Sequence, residues 1–99
     1  MIDSVYISGP ITGMKNNNFD EFDKAYNLLR KTIPIVKNPL KITDFMPISS
    51  IHSDYMKMCL KELIFSSAIY MLHGWWHSRG AIVELIVAKA CGLKIMWEK

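Results

Sequence analysis

Four short runs rich in β-branched and aromatic residues alternate with three helix-length segments, and this alternation restricts the fold more than any other feature. Ser4 to Ser8, SVYIS, ends in Gly9-Pro10 and reads as a strand entering the loop GPITGMKNNN. A second brief strand lies in PIVKNP, where Pro39 ends it. AIYML, Ala68 to Leu72, is apolar throughout, as a strand covered on both faces should be. LKIMW supplies the last strand.

Between the strands, the spacing of Phe19, Phe22, Tyr26 and Leu29 predicts an amphipathic helix to about Lys31, capped by Asn18 with Glu21 in capping-box position. Ser53 or Asp54 is placed to cap a second helix, to about Ser66. The third runs from Ser78 to Cys91 and stops at Gly92. Residues 40–52, LKITDFMPISSIH, carry no clear period and read as a loop long enough to be functional. The expected architecture is therefore α/β: a small doubly wound parallel sheet, four strands in order 2-1-3-4, with right-handed crossovers and helices on both faces. Ligands of such sheets bind beyond the carboxyl ends of the strands, near the switch point. The loops leaving the first and third strands, GPITGMKNN and HGWWHS, should lie there side by side.

The chain has 99 residues, 51% of them hydrophobic, which predicts one domain over 1–99 with apolar surface left for a second copy to cover. Its net charge of +3 comes from dispersed lysines, a poor match to a nucleic-acid groove binder. Cys59 and Cys91 lie in apolar helical stretches without CxxC spacing and read as two buried free thiols. His52, His73 and His77 show no ligand pairing, so no metal and no cofactor is expected. With no leader pattern and no run near the ~18 apolar residues of a membrane span, the expectation is a cytoplasmic protein.

The segment GWWHSRGAIVE, Gly74 to Glu84, carries the chemistry. From Gly80 to Ala90 only Glu84 and Lys89 are charged, and at five residues' separation they stand about 140° apart around the helix. Such a helix needs cover from the sheet on one side and from another subunit on the other. Gly80 and Ala81, at i−4 and i−3 from Glu84, leave room for a ligand. Glu84 either points to water or a lysine, or sits in a partly apolar cleft with a raised proton affinity suited to catalysis. Ser78 is either a plain N-cap or, with Arg79 and Gly80, part of an anion site at the helix start. GPITG has neither dinucleotide-fold nor P-loop spacing. Trp75 and Trp76 either stack on a base or sugar at the cleft mouth or cover an interface.

VYISGPITG, NNFDEF, IVKNP, DYM, AIYMLHGWWHSRGAIVE and GLKI stand in the order and spacing of the DUF4406 family of small, often phage-encoded proteins, which the chain resembles over nearly its whole length. That family looks like a compact branch of the nucleoside 2-deoxyribosyltransferase-like superfamily, which also includes deoxynucleoside 5′-monophosphate N-glycosidases. The resemblance implies a flavodoxin-like sheet, a homodimer or homotetramer, and a nucleotide or nucleoside site shared between subunits. It makes Glu84 the nucleophile at the sugar C1′. Ser78, with Gly9, Ile11 and Gly13 of the first loop, holds the 5′-phosphate or sugar. Three positions depart from the pattern. Cys59 stands where active glycosidases carry an aspartate, Ser67 where one usually precedes the AIYML strand, and Trp76 where DUF4406 often has glutamate. Glycosidic cleavage ordinarily uses two carboxyl groups, and absence of the acid costs about 10²–10⁴-fold. Three readings follow: an enzyme cleaving or transferring an N-glycosidic bond through Glu84, a protein that sequesters a nucleotide or nucleotide-derived signal, and a purely structural oligomer.

Overall fold

The computed structural model describes residues 2–47 and 49–98; Ile48, within the loop expected at 40–52, lies outside the described residues. Strands β1 (Ser4–Ser8), β2 (Ile35–Lys37), β3 (Ala68–Met71) and β4 (Lys94–Trp97) form one sheet in the order β2-β1-β3-β4. All three pairings are parallel, with Tyr6 opposite Ile69 and Ser8 opposite Met71. This is the α/β architecture that the alternation requires.

The pleat sorts side chains to two faces. Val5, Ile7, Ala68, Tyr70 and Leu72 pack against Phe22, Ala25 and Leu29 of α1 (Phe19–Leu29). Tyr6, Ile69 and Met71 point the other way and meet Cys59 and Leu63 of α3 (His52–Ile64) and Ala81, Leu85 and Ala88 of α4 (Arg79–Ala90). The central strands β1 and β3 are buried along their whole length, while β2 and β4 form partly exposed edges. A buried two-sided strand has no solvent face for a polar residue, so Ser4, Tyr6 and Ser8 on the α3/α4 side of β1 all need internal partners.

The helix boundaries differ from the expected ones where local hydrogen bonding decides them. Asn18 does not cap α1 through its side chain: Asn16, Asn17 and Asn18 all take left-handed φ values of 51°, 54° and 62°, and the Asn18 amide instead donates to the Pro10 carbonyl at 3.0 Å. The expected loop at 40–52 begins inside a short helix, α2 (Pro39–Ile42). Asn38 Oδ1 accepts from the Leu40 N–H, and Pro39 occupies the first helical position, where its missing N–H costs nothing. α3 starts at His52, with the Asp54 carboxylate accepting from the Ile51 N–H. α4 ends as expected. Gly92 takes φ 75°, its N–H reaches the Lys89 carbonyl and that of Leu93 the Ala88 carbonyl, which is the paired Schellman closure. Cys59 is buried, but Cys91 caps this terminus and is exposed, contrary to the expectation of two buried thiols.

Candidate functional site

Two close approaches build the site. Gly9 has no Cβ because one would stand 2.8 Å from both Cβ and Cδ1 of Leu72, so the chain leaving β1 presses directly against the end of β3. Gly74, at φ 87°, lies beside the Pro10 ring. The first and third loops are thus side by side at the carboxyl ends of the two central strands, as the topology demands.

Glu84 lies beneath this junction, on the face of α4 turned to the sheet, and is 6% exposed. Among the described residues it pairs with no lysine: Oε2 accepts a hydrogen bond from the Tyr6 hydroxyl at 2.6 Å and Oε1 one from the Ser8 hydroxyl at 2.7 Å. Burial raises the proton affinity of the carboxyl above its ordinary range, and the two donors partly offset this by stabilising the ionised form. Tyr6 itself is pushed well above the usual phenol value by burial and by the Glu84 charge. Cys59, in the same buried cluster as Tyr6, is raised to about 11, chiefly by burial. The sequence reading did not single out Tyr6 and Ser8. The signal was the alternation S-V-Y-I-S itself, which aligns three hydroxyls on one face of a strand with no water to meet them.

The other residues singled out from the sequence lie in differing surroundings, and none of them bonds this acid. Ser78 caps α4, its Oγ accepting from the Ala81 N–H at 3.2 Å, which leaves the hydroxyl proton and the Arg79 and Gly80 amides of the first turn without an intrahelical partner. The room expected above Gly80 is filled: a Cβ there would lie 3.4 Å from Met56 Sδ and 4.0 Å from His52 Cε1, so the missing side chain lets α3 close on α4. Ala81 is likewise buried in the α3/α4 core. Ile11 packs against the α1-side core, and Gly13 takes φ 82° in an exposed turn with open space above it. Trp75 is half-buried, its ring 5.7 Å from that of Trp97, whereas Trp76 is 47% exposed and edge-on to Trp75 and His73. Two surface hollows, one lined by residues such as Thr32 and Lys94 and the other by residues such as Asn16 and Asp44, do not reach Glu84. Among the described residues no group of three His, Cys, Asp or Glu side chains is placed to hold a metal ion, and no helix is long and apolar enough to cross a membrane.

A comparison with protein families matches residues 3–97 to a domain of unknown function, DUF4406. The chain belongs to the DUF4406 family. No curated protein matches it. Within this DUF4406 chain the match takes in both loops, the whole of β1 and the whole of α4, so every group around Glu84 lies inside the family domain.

Proposed function

We propose that this chain binds a nucleotide or nucleoside at the α4 start and acts on its N-glycosidic bond with Glu84 as nucleophile, in the manner of the deoxyribosyltransferase-like superfamily. The observation that carries this reading is the Tyr6–Glu84–Ser8 arrangement. A carboxylate is kept in the core by two hydroxyls where a parallel sheet binds its ligands, although an aliphatic side chain would fill that space at lower cost. Both donors also fix the orientation of its oxygens, as a group that attacks a defined carbon requires.

In the proposed reaction a Glu84 oxygen forms a bond to C1′ as the C1′–N bond breaks, the electron pair leaves with the base, and the base takes a proton from solvent water. Water or an acceptor base then releases the sugar from Glu84. The 5′-phosphate lies at the α4 N-terminus, between the Ser78 hydroxyl, the Arg79 charge and the free amides. Glu84 is 6% exposed and His52 and Met56 fill the space above Gly80, so the proposed attack requires this turn of α3 to move aside. The bordering protic groups, Tyr6 and Cys59, both bind their protons too tightly to be good acids at neutral pH. Turnover then depends on bases that leave without strong protonation. This favours a second reading, in which the nucleotide is bound and kept intact.

Incubation with a panel of deoxynucleoside monophosphates, followed by chromatography for free base, tests the first reading against a Glu84→Gln control. Base release by the wild type and none by the variant supports it. Stabilisation by a nucleotide that is recovered unchanged supports sequestration, and no response to any nucleotide removes both. The exposed apolar strip of α4 is proposed as the contact in a homodimer or homotetramer.

A further inference from the structure

The edge strand β4 uses only half of its backbone groups within the sheet. Lys94 donates its N–H to the Ser67 carbonyl and Glu98 donates its N–H to that of Met71. In the parallel ladder Lys94, Met96 and Glu98 therefore turn their backbone groups to β3. Those of Ile95 and Trp97 point outward, to the side on which the sheet has no further strand. The register against β3 is unbroken and no proline lies in the strand. Such an edge is a template for one more strand.

The helix above this edge is apolar on the same side. α3 packs on β1 and on α4, whereas α4 reaches across β3 to β4. The flank of α4 away from α3 therefore turns toward the open edge. Gly80 marks the α3 side, where Met56 and His52 stand close. At about 100° per residue, Ile82 and Ile86 lie about 200° and 240° around the axis from Gly80, on the opposite flank. Both are exposed.

A strand of the same sequence, running antiparallel, meets this edge in one register that matches its charges. A two-fold axis through Met96 sets Lys94 opposite Glu98 of the second copy, and Ile95 opposite its Trp97. The Ile95–Trp97 pairs then exchange the outward N–H···O bonds. The two ion pairs take the positions between bonds, where facing side chains come closest. Sliding by two residues in either direction sets Met96 against Lys94 or against Glu98 and leaves both charges unmatched.

We propose that β4 pairs antiparallel with β4 of a second copy in this register, so that the two sheets become one and the Ile82 and Ile86 flanks of both α4 helices meet beside the join. The inference rests on the reading of the α4 strip as a contact between copies, and adds the strand pairing and its register to it.

Two charge reversals test it. Lys94→Glu and Glu98→Lys each set like charges opposite one another at both ends of the paired strands. Each alone should weaken self-association about ten- to a hundredfold. Mixed in equal amounts, they restore opposite charges at both positions in a pair that holds one copy of each. The mixture should then recover the wild-type mass by light scattering, at a concentration where each variant alone is monomeric. Lys94 is exposed, and so is the bond from the His73 N–H to Glu98 Oε1, which water can replace, so both variants should keep the circular dichroism of the wild type. Single variants of unchanged mass, or a mixture no heavier than its components, overturn the β4 pairing and leave the α4 contact standing. A wild type that is monomeric at high concentration removes both.

Discussion

The Tyr6 hydroxyl donates to Glu84 Oε2 across 2.6 Å, joining the middle of the central strand to the second turn of α4. The bond serves the ionised carboxylate, so its value depends on pH. Tyr6→Phe should raise the proton affinity of Glu84 further and cost about 1–3 kcal/mol where the group is charged, the usual penalty for a buried acceptor deprived of its donor. Urea unfolding of both proteins at pH 5 and pH 8 reads the effect, with the larger loss at pH 8. An equal loss at both values would mean that the phenol contributes packing alone.

Glu84→Gln should alter the pH dependence of stability in a defined direction. Below the ordinary carboxyl value of 4.5 the group is protonated in the folded and the unfolded chain. As pH rises the unfolded chain ionises first, because burial delays ionisation in the fold. Stability is therefore lost between the unfolded and folded values, at about 1.4 kcal/mol per pH unit within that window. Glutamine has no such term. The stability of the wild type minus that of the variant should fall as pH rises above 4.5, measured by urea titration in steps of half a unit. A difference that grows with pH would show that the Tyr6 and Ser8 bonds outweigh burial.

The sheet was legible because strand and helix alternate and the third strand is apolar on both faces, a pattern with few alternatives. Glu84 was legible as an isolated charge in an apolar helix. Its partners were harder to see, since Tyr6 and Ser8 lie 78 and 76 residues away in sequence and meet it only through the crossover topology. The pattern around Asn18 suggested a capping box, yet a long-range bond to Pro10 decided the geometry and turned three asparagines left-handed. Gly80 suggested an opening for the same reason that it permits helix contact: the sequence shows a missing side chain and not what occupies the space. The short helix at Pro39 was marked by Asn38-Pro39, a cap and first-turn pair that a search for longer periodicity passes over.

Gly9→Ala should destabilise the fold by about 1–3 kcal/mol through overpacking, because its Cβ meets the buried Leu72 side chain at 2.8 Å. The double variant with Leu72→Gly, which removes the Leu72 Cβ as well as its Cδ1, separates steric pressure from backbone effects. If the clash is the cause, the two substitutions are less damaging together than their sum, with a coupling of about 0.5–3 kcal/mol. Additive losses in denaturant unfolding would place the cost of Gly9→Ala elsewhere.

Ser78→Ala removes the side chain that caps α4 and should lower stability by about 0.5–2 kcal/mol. The same substitution separates the two roles of the residue. A cap alone predicts a lower midpoint with nucleotide affinity unchanged once the fold is intact. A phosphate contact predicts an added loss of affinity for nucleoside monophosphates, and little loss for the corresponding nucleosides. Calorimetry on folded wild type and variant, with each ligand pair, distinguishes these outcomes.

Ile82, Val83 and Ile86 stand at i, i+1 and i+4 of α4, turned away from the sheet, and Ile86 is 60% exposed. A helix apolar on nearly every side is ordinarily covered all round, and here α3 and the sheet cover only the side that carries Ala81, Leu85 and Ala88. A second copy set against the strip would bury it in a self-complementary contact. Ile86→Glu should then halve the mass measured by light scattering if the assembly is a dimer, because each subunit brings the same charge to the same contact. The buried Glu84 faces the other way, so the variant should keep its secondary structure by circular dichroism. A wild type that runs as a monomer at high concentration, or an Ile86→Glu variant of unchanged mass, would show that α4 is not the contact.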